Sequence, residues 1–387
     1  MKLKWIITAM LLVATSTTVR ATEGINLIGI GPVQQGTAGA GVASAKDSTW
    51  LILNPAGLTD LSRRADTSLQ YFAPVRTINS TANPSSGTQE DSSAFVIPSI
   101  SASLGCCRKD SGHLGIGLYG TSGMGVDYKD PRFGFSAGDT RTELSIAKLT
   151  LTYAEKFDNG LSVGAGPIFV LSRFRSNMET SRTGPPSVKA DGSWDGAVGV
   201  GFIVGVNKRL NDKLTIGGSY MSEQYMTEFD EYKNLLSGSL NLPQQLTVGL
   251  AYNVRANVEV ALDYRWLGWS HLDTLGDQFG WEDQNIVKAG VTWGATDRLT
   301  LRGGISHGNS PVGNDVGVGN SLFPAIMETH LAFGASYQFD KFRLDLAYVH
   351  ALDASVTGNG NDTGGAGAGT DMSMYQNNLT IGAGWTF

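Results

Sequence analysis

The stretch SMYQNNLTIGAGWTF, residues 373–387, ends the chain and alternates between two kinds of residue. One set of alternate positions is apolar apart from Asn377, and it consists of Tyr375, Leu379, Ile381, Ala383, Trp385 and Phe387. The positions between them hold only polar residues or glycine. Because successive side chains of a β-strand point to opposite faces, this period of two predicts a strand with one apolar and one polar face. A strand of a soluble sandwich would show the same alternation.

The spacing of the strands separates these two classes of protein. The alternation recurs along the chain, for example in residues 257–266 and 342–349. Short links such as Asp340-Lys341 alternate with long polar or glycine-rich links such as residues 353–371. Short turns at one end and long loops at the other are typical of an outer-membrane β-barrel, and a sandwich has no need of this asymmetry.

We therefore predict an all-β fold, a transmembrane barrel of fourteen antiparallel strands, because only closure pairs every backbone group of a sheet in lipid. The terminal Phe387 resembles the C-terminal signature of bacterial outer-membrane barrels, which predicts that the protein lies in the bacterial cell outer membrane. The predicted strands cover residues 66–75, 94–105, 113–126, 141–155, 161–174, 194–208, 213–226, 243–254, 258–269, 284–295, 299–307, 328–338, 342–351 and 373–387.

The start of the chain and its composition agree with this class. Residues 1–21 contain two lysines, then an apolar run, and end with Val19-Arg20-Ala21, an order that is typical of a secretory signal peptide. The apolar run is too short to span a membrane as a helix. Charged residues make up only 17% of the chain, below the roughly 25% usual for soluble domains. The formal net charge of −6 gives no indication of nucleic-acid binding.

Residues 22–64 lie between the signal peptide and the barrel, which we assign to residues 65–387. Their apolar run Trp50–Leu53 stops at Asn54-Pro55-Ala56-Gly57, a combination that ends regular structure and turns the chain. Side chains alone do not fill the bore of so wide a barrel. We predict that residues 22–64 form a hatch, or plug, inside the bore. A fifteenth strand or a periplasmic arm is the alternative.

Several motifs in chain order resemble the FadL-type outer-membrane transporters of long-chain fatty acids and hydrocarbons. The segment GTAGAGVASAKDSTWLILNPAGL, residues 36–58, resembles their hatch, and its Asn54, Pro55 and Ala56 match the hatch motif. The segment GIGLYGTSGMGVDY, residues 115–128, resembles their third strand. Residues 242–270 and 301–339 and the closing strands are similar as well, so the resemblance covers essentially the whole mature chain.

This resemblance implies passive uptake of hydrophobic compounds, most simply long-chain fatty acids, through a pocket in the bore and a sideways exit into the bilayer. In that family the exit lies beside a kinked third strand. Gly120, Gly123 and Gly125 are the candidates for this kink, because glycine tolerates the backbone angles that a kink requires. Uptake of aromatic or aliphatic hydrocarbons by the same route is one alternative. A general porin for small polar solutes is another.

We predict no enzymatic activity, because the remaining motifs form no recognisable catalytic arrangement; an outer-membrane hydrolase is a further alternative. GIGLYG, residues 115–120, has the G-x-G-x-x-G spacing, but strand rather than helix follows it, so no dinucleotide site is predicted. Cys106 and Cys107 are expected in the turn after the second strand, either as plain thiols or as a vicinal disulfide. The five histidines are scattered, and we predict no catalytic site, metal or cofactor.

The expected partners follow from the same class. They are a hydrophobic small molecule, outer-membrane lipid and lipopolysaccharide, and the barrel-assembly machinery. We expect a monomer that binds no nucleic acid.

Overall fold

A computed structural model describes residues 23–80, 87–108, 112–129, 139–177, 179–180, 188–189, 192–233, 235–236, 238–313, 318–358 and 370–387. The predicted signal peptide, residues 1–21, lies outside the described residues, and so do parts of several predicted loops. In the described part of the chain, no helix has the length and apolar character needed to cross a membrane.

Fourteen long antiparallel strands form a closed ring. Each strand pairs with its neighbours in the sequence, and the first strand pairs with the last, from Arg64 opposite Thr386 to Ser80 opposite Thr370. The strands are β1 Arg64–Ser80, β2 Phe95–Arg108, β3 Gly112–Tyr128, β4 Thr140–Lys156, β5 Leu161–Ser176, β6 Asp195–Arg209, β7 Leu214–Met221, β8 Gln244–Arg255, β9 Val258–Gly268, β10 Gln284–Gly294, β11 Leu299–Gly308, β12 Thr329–Gln338, β13 Phe342–Thr357 and β14 Thr370–Thr386.

The fourteen-stranded barrel predicted from the alternation is confirmed, with two local differences. The seventh strand, predicted over residues 213–226, ends at Met221, and Tyr225–Met226 forms a separate short strand against β6. β2 continues to Arg108, so Cys106 and Cys107 belong to this strand and not to the turn after it. Three further short strands, Thr88–Asp91, Glu179–Thr180 and Val188–Lys189, lie among the long loops.

The two faces of each strand differ as the alternation predicts, and β6 shows this clearly. Val198, Val200 and Phe202 are exposed on the outside, whereas Ala197 and Ile203 are buried on the inside. Large apolar side chains are exposed in this way around the ring. An apolar outer surface on a closed sheet is stable when the surroundings are themselves apolar, as in a bilayer.

The N-terminal segment, residues 23–61, contains helical turns. Helix α1 covers Gly31–Gln35, helix α2 covers Trp50–Leu53, and a 3-10 helix covers Pro55–Asp60. The alternative of a fifteenth strand is therefore wrong. Asn54 has extended backbone between α2 and the 3-10 helix, and its Oδ1 accepts a hydrogen bond of 3.1 Å from the Ala56 N–H. Pro55 follows at the first helical position, where the missing N–H costs nothing.

Aromatic side chains gather at the end of the barrel that carries the long loops. The rings of Phe174 and Tyr232 are 4.8 Å apart, and those of Trp269 and Trp281 are 5.1 Å apart. Three short elements join this cluster: a 3-10 helix at Asp230–Tyr232, a π-helix at Asp273–Gln278 and helix α3 at Val318–Leu322. Burial of these apolar rings stabilises the described parts of the loops against one another.

Candidate functional site

The N-terminal segment is bound to inward-facing charges of β9 and β10. Glu23 forms ion pairs with Lys288 of β10 and Arg265 of β9. The Lys288 Nζ also donates a hydrogen bond of 2.9 Å to the Ile28 carbonyl. On β9, the Asp263 carboxylate accepts hydrogen bonds from the backbone N–H of the segment, at 2.7 Å from Gly41 and 2.9 Å from its neighbour.

Strands further around the ring, β1 and β13, hold the same segment. On β1, the Asp66 carboxylate accepts hydrogen bonds from the Ser48 N–H at 2.9 Å and from its hydroxyl at 2.5 Å. On β13, the Arg343 guanidinium lies 3.2 Å from the Asp47 carboxylate. Because residues 23–61 contact the inner faces of several strands of a closed ring, they lie within the bore.

Asn54 is fully buried, and its side chain joins two parts of the segment to the wall. Its Nδ2 donates hydrogen bonds to the Val42 carbonyl at 2.7 Å and to the Asn207 Oδ1 of β6 at 2.8 Å. The wall bears glycine where this turn approaches it. A Cβ at Gly164 of β5 would lie 2.6 Å from the Pro55 carbonyl carbon, so only glycine fits without displacement.

Beside the third strand, the wall of the barrel is interrupted. β2 and β3 pair from Arg108 opposite Gly112 only as far as Ser99 opposite Tyr119. Beyond that point, Phe95–Pro98 pair with β1 alone. The pairing of β3 with β4 shifts between Gly120 and Ser122, which is a β-bulge. A bulge bends the strand that carries it. The missing hydrogen bonds between β2 and β3 beyond Tyr119 leave a gap in the pairing of the sheet at this bulge.

The N-terminal segment covers the inner side of this bend. Asn26 and Ser122 form an isolated antiparallel bridge. The Leu27 N–H donates to the Thr121 carbonyl at 3.0 Å, and the Gly123 N–H donates to the Ile25 carbonyl at 3.2 Å. The segment thereby supplies part of the hydrogen bonding that β2 does not give to β3.

A cavity of about 730 Å³ lies at this gap and is lined by residues of both β2 and β3. At its outer end it is lined by apolar side chains of the outer surface, including Ile100 and Leu171, which are 60% and 53% exposed. At its inner end it is lined by buried polar side chains of the bore: Gln35, Gln70, His330, Gln376 and Asn378. The lining of the cavity therefore includes both residues of the bore and residues of the outer surface.

Two of the charged side chains that line the cavity, Arg76 and Glu143, form ion pairs. The buried Arg76 guanidinium of β1 lies 2.6 Å from the Asp91 carboxylate and donates to the Gly125 carbonyl of β3 at 2.5 Å. The Glu143 carboxylate of β4 lies 3.0 Å from Arg141 and 2.6 Å from Arg175. Arg76 thereby joins β1 to β3 across the gap, and Glu143 joins β4 to β5 beside it.

The three glycines suggested for the kink all line the cavity. A Cβ at Gly120 would lie 2.4 Å from the Ile97 Cγ2, and one at Gly125 would lie 2.3 Å from the Thr142 carbonyl oxygen. The space beside both positions is thus too small for a side chain. The hatch motif Asn54, Pro55 and Ala56 lies elsewhere, against β5 and β6, and does not line the cavity.

The sequence did not single out the polar residues of the inner end. His330 and Asn378 look like any other inward position of an alternating strand, and Gln35 belongs to helix α1. Only ring closure places β12 and β14 beside the gap next to β3, which is distant in sequence.

Solved structures with the same fold were found. The P. putida toluene transporter TodX has 18% sequence identity and a TM-score of 0.74, with 93% of this chain and 99% of that chain covered. A Pseudomonas aeruginosa FadL homologue has 15% identity and a TM-score of 0.72, with coverage of 94% and 100%. The Ralstonia pickettii toluene transporter TbuX has 17% identity and a TM-score of 0.69, with coverage of 93% and 99%. No curated protein matches the sequence.

The family described as outer membrane protein transport protein (OMPP1/FadL/TodX) matches residues 12–387. The match covers the segment in the bore and all fourteen strands. Proteins of this family transport hydrophobic small molecules through the outer membrane and are channels, not enzymes. The chain therefore belongs to the OMPP1/FadL/TodX family and is an outer-membrane transport protein for hydrophobic compounds.

Proposed function

We propose that the protein takes up hydrophobic compounds passively by way of the cavity at the third strand and releases them sideways into the membrane through the gap between β2 and β3. The observation that carries this proposal is a cavity lined both by the buried His330 and by the outward Ile100 and Leu171. An apolar solute gains free energy when it leaves water for such a passage and then for lipid, so no energy source is needed.

The same contacts support a hatch. We propose that residues 23–61 block the straight path through the bore, because their ion pairs and hydrogen bonds reach β1, β9, β10 and β13. A general porin for polar solutes needs an open, water-filled bore. In a planar bilayer, the purified protein is expected to show little ion conductance. Large and steady conductance would favour the porin instead.

Two classes of hydrophobic compound are candidates for the cargo. Long-chain fatty acid, the cargo implied by the resemblance, remains a prediction. Hydrocarbon is the second candidate, and it is supported by the similarity to two toluene transporters. The cavity of about 730 Å³ lies in the range of about 300–1,000 Å³ that is common for small-molecule sites. Both classes are therefore to be measured side by side.

A reversible cross-link tests the sideways exit. A Cβ at Gly120 would lie 3.7 Å from the Ile97 Cβ, which suits a disulfide, for which this separation is about 3.8 Å. We would introduce Ile97→Cys and Gly120→Cys together, in a chain that also carries Cys106→Ser and Cys107→Ser. Cells that make this variant and lack other transporters of the family would be given labelled oleate and labelled toluene.

Oxidation is expected to stop uptake of the true cargo because the disulfide prevents β2 and β3 from moving apart at the gap, and dithiothreitol is expected to restore uptake. The matched control is Asn257→Cys with Gly294→Cys, since a Cβ at Gly294 would also lie 3.7 Å from the Asn257 Cβ, at a turn that does not line the cavity. Uptake that continues unchanged across a formed Ile97–Gly120 cross-link would refute the sideways exit.

A further inference from the structure

The inner end of the cavity has a more polar character than a purely hydrocarbon cargo requires. Gln35, Gln70, Gln376, Asn378 and His330 line it, and each is at most 5% exposed. A buried polar group that has no hydrogen-bond partner costs free energy, so such groups are normally paired. A cavity that binds toluene alone would cost less free energy if apolar side chains lined it.

Part of this polar wall is fully paired. The Gln35 Nε2 donates to the Gln70 Oε1 at 2.8 Å and to the Gly29 carbonyl at 3.1 Å. The Thr380 hydroxyl donates to the Gln35 Oε1 at 2.5 Å. These bonds fix the Gln35 amide between helix α1 and the strands β1 and β14, where it serves the structure.

Other atoms of the wall have no partner. Among the residues that the structure describes, none forms a hydrogen bond with the His330 Nδ1, the Asn378 Oδ1 or the Asn26 Nδ2. His330 and Asn378 are only 3% and 5% exposed, and all three residues line the cavity. The three atoms are themselves buried, so a ligand reaches them when these side chains turn toward the cavity. The set then offers a donor, an acceptor and an imidazole nitrogen that serves as either.

The strand register places these groups on one side of the cavity. His330 of β12 lies opposite Ala351 of β13, and Ala351 lies opposite Gln376 of β14. Asn378 is two residues further along β14, so it points to the same inner face. Asn26 approaches from the other side, where it bridges to Ser122 of the bent β3. A polar group of a ligand at the inner end would thus have polar residues on both sides, while the apolar end of the cavity extends toward lipid.

Charge decides what kind of polar group fits. Two arginines line the cavity: Arg76 is paired with Asp91, and Arg173 is exposed on the outer surface over the Trp194 ring. Among the described lining residues, no Lys or Arg faces the inner end without a partner. A carboxylate would therefore enter without a counter-charge, which is costly away from water. A hydroxyl is neutral and both donates and accepts.

We propose that the cavity selects hydrophobic molecules that carry one uncharged hydroxyl group, with the hydroxyl at His330 and Asn378 and the hydrocarbon chain directed to the gap between β2 and β3. This inference rests on the proposed function, because it takes the cavity as the site through which cargo passes. It adds a preference for hydrophobic alcohols over hydrocarbons and over fatty-acid anions.

The test measures binding of three probes of equal chain length: 1-decanol, 1-decene and decanoate. The full-length mature protein would be placed in lipid nanodiscs, and empty nanodiscs would account for partition into lipid. The quantity of interest is the ratio of the decanol affinity to the decene affinity. In His330→Leu and in Asn378→Leu we expect this ratio to fall by about threefold to tenfold, the effect of one neutral hydrogen bond. His330→Gln is expected to recover part of the ratio.

The control variant is His350→Leu. His350 lies on β13, its Nδ1 is 3.0 Å from the Asn377 Oδ1, and it does not line the cavity. The ratio of decanol affinity to decene affinity in His350→Leu is expected to equal that of the unchanged protein. Each variant would be accepted only if its barrel shows the heat-dependent gel mobility of the folded protein.

The outcomes separate the two proposals. A decanol-to-decene ratio that is the same in the unchanged protein, His330→Leu and Asn378→Leu would overturn the hydroxyl inference and leave the proposed uptake route intact. Tighter binding of decanoate than of decanol would overturn it as well. Failure of all three probes to bind would count against the proposed function itself.

Discussion

Glu23 and Lys288 form an ion pair in which both side chains are 1% exposed. Arg265 lies against the other oxygen of the same carboxylate. Burial alone would raise the pKa of Glu23, but the positive charges of Lys288 and Arg265 outweigh it and hold the pKa below its ordinary value. The start of the segment in the bore is thus fixed to two strands by a carboxylate that stays ionised.

The first prediction concerns loss of this carboxylate. In Glu23→Gln the buried Lys288 and Arg265 lose their counter-charge, which costs about 3–5 kcal/mol for a buried pair. We expect the segment to leave its place, seen as faster protease cleavage within residues 23–61 and as frequent conductance events in a planar bilayer. The comparison is Asp60→Asn, which breaks the more exposed Lys156–Asp60 pair and is expected to cost at most about 1 kcal/mol. Equal behaviour of the two variants would contradict the prediction.

The second prediction follows from the pKa of Glu23. Because the folded-state pKa lies below the ordinary value of 4.5, the ion pair stabilises the segment at and above that pH and loses this contribution as the pH falls through the lowered pKa. Bilayer conductance of the unchanged protein is expected to be low at pH 7 and to rise only well below pH 4.5. Glu23→Gln lacks the titrating group, and its conductance is expected to be raised already at pH 7 and to change less on acidification.

The third prediction concerns Asn54, whose Nδ2 donates to the Val42 carbonyl and to the Asn207 Oδ1. Asn54→Asp keeps the shape but replaces the donor by an acceptor that faces two oxygens, at a cost of about 1–3 kcal/mol or more. The midpoint of the heat-induced gel mobility shift is expected to fall. In Asn211→Asp it should stay the same, since that exposed side chain only accepts hydrogen bonds, from the Lys213 and Leu214 N–H groups.

The fourth prediction concerns the close approach of wall and segment. A Cβ at Gly164 would lie 2.6 Å from the Pro55 carbonyl carbon and 2.7 Å from the Ala56 nitrogen, and backbone atoms cannot rotate away. We expect Gly164→Ala to displace this turn and to lower stability by about 1–3 kcal/mol, as overpacking does. At Gly196 of the adjacent β6, the nearest atom to a new Cβ is the Ser172 carbonyl oxygen at 3.8 Å. Gly196→Ala should change the thermal midpoint little, and a larger drop there than at Gly164 would contradict the argument.

The barrel was predictable because its two faces meet different surroundings. Lipid outside and a polar bore inside impose alternation on each strand. The local order of outward residues such as Val198 and inward residues such as Ala197 is therefore enough to predict a strand. The end of β7 was not predictable in this way. Beyond Met221 the chain leaves the wall at Ser222–Gln224, where the buried Gln224 Oε1 accepts a hydrogen bond of 2.6 Å from the Lys148 Nζ. That contact depends on a distant strand.

The site was only partly predictable, for a similar reason. Gly120, Gly123 and Gly125 came from the resemblance to a family, and their part in a lateral gate remains a prediction. The boundaries of the hatch, residues 22–64, also remain a prediction. His330 and Asn378 carry no local signal, because an inward polar residue at a cavity and one in a packed wall have the same pattern. Their proximity to the gap arises only when β14 pairs with β1.

That last pairing has a consequence for the order of assembly. β14 is synthesised last and joins β1, which directly follows residues 23–61. Glu23 and Asp47 of this segment form ion pairs with Lys288 of β10 and Arg343 of β13, which are three strands apart around the ring. If these side chains entered a barrel that was already closed, they would lose their water before they reached the strands that pair with them, which is costly for a charged group. We therefore expect the seam between β1 and β14 to stay open during insertion into the outer membrane until residues 23–61 are in place.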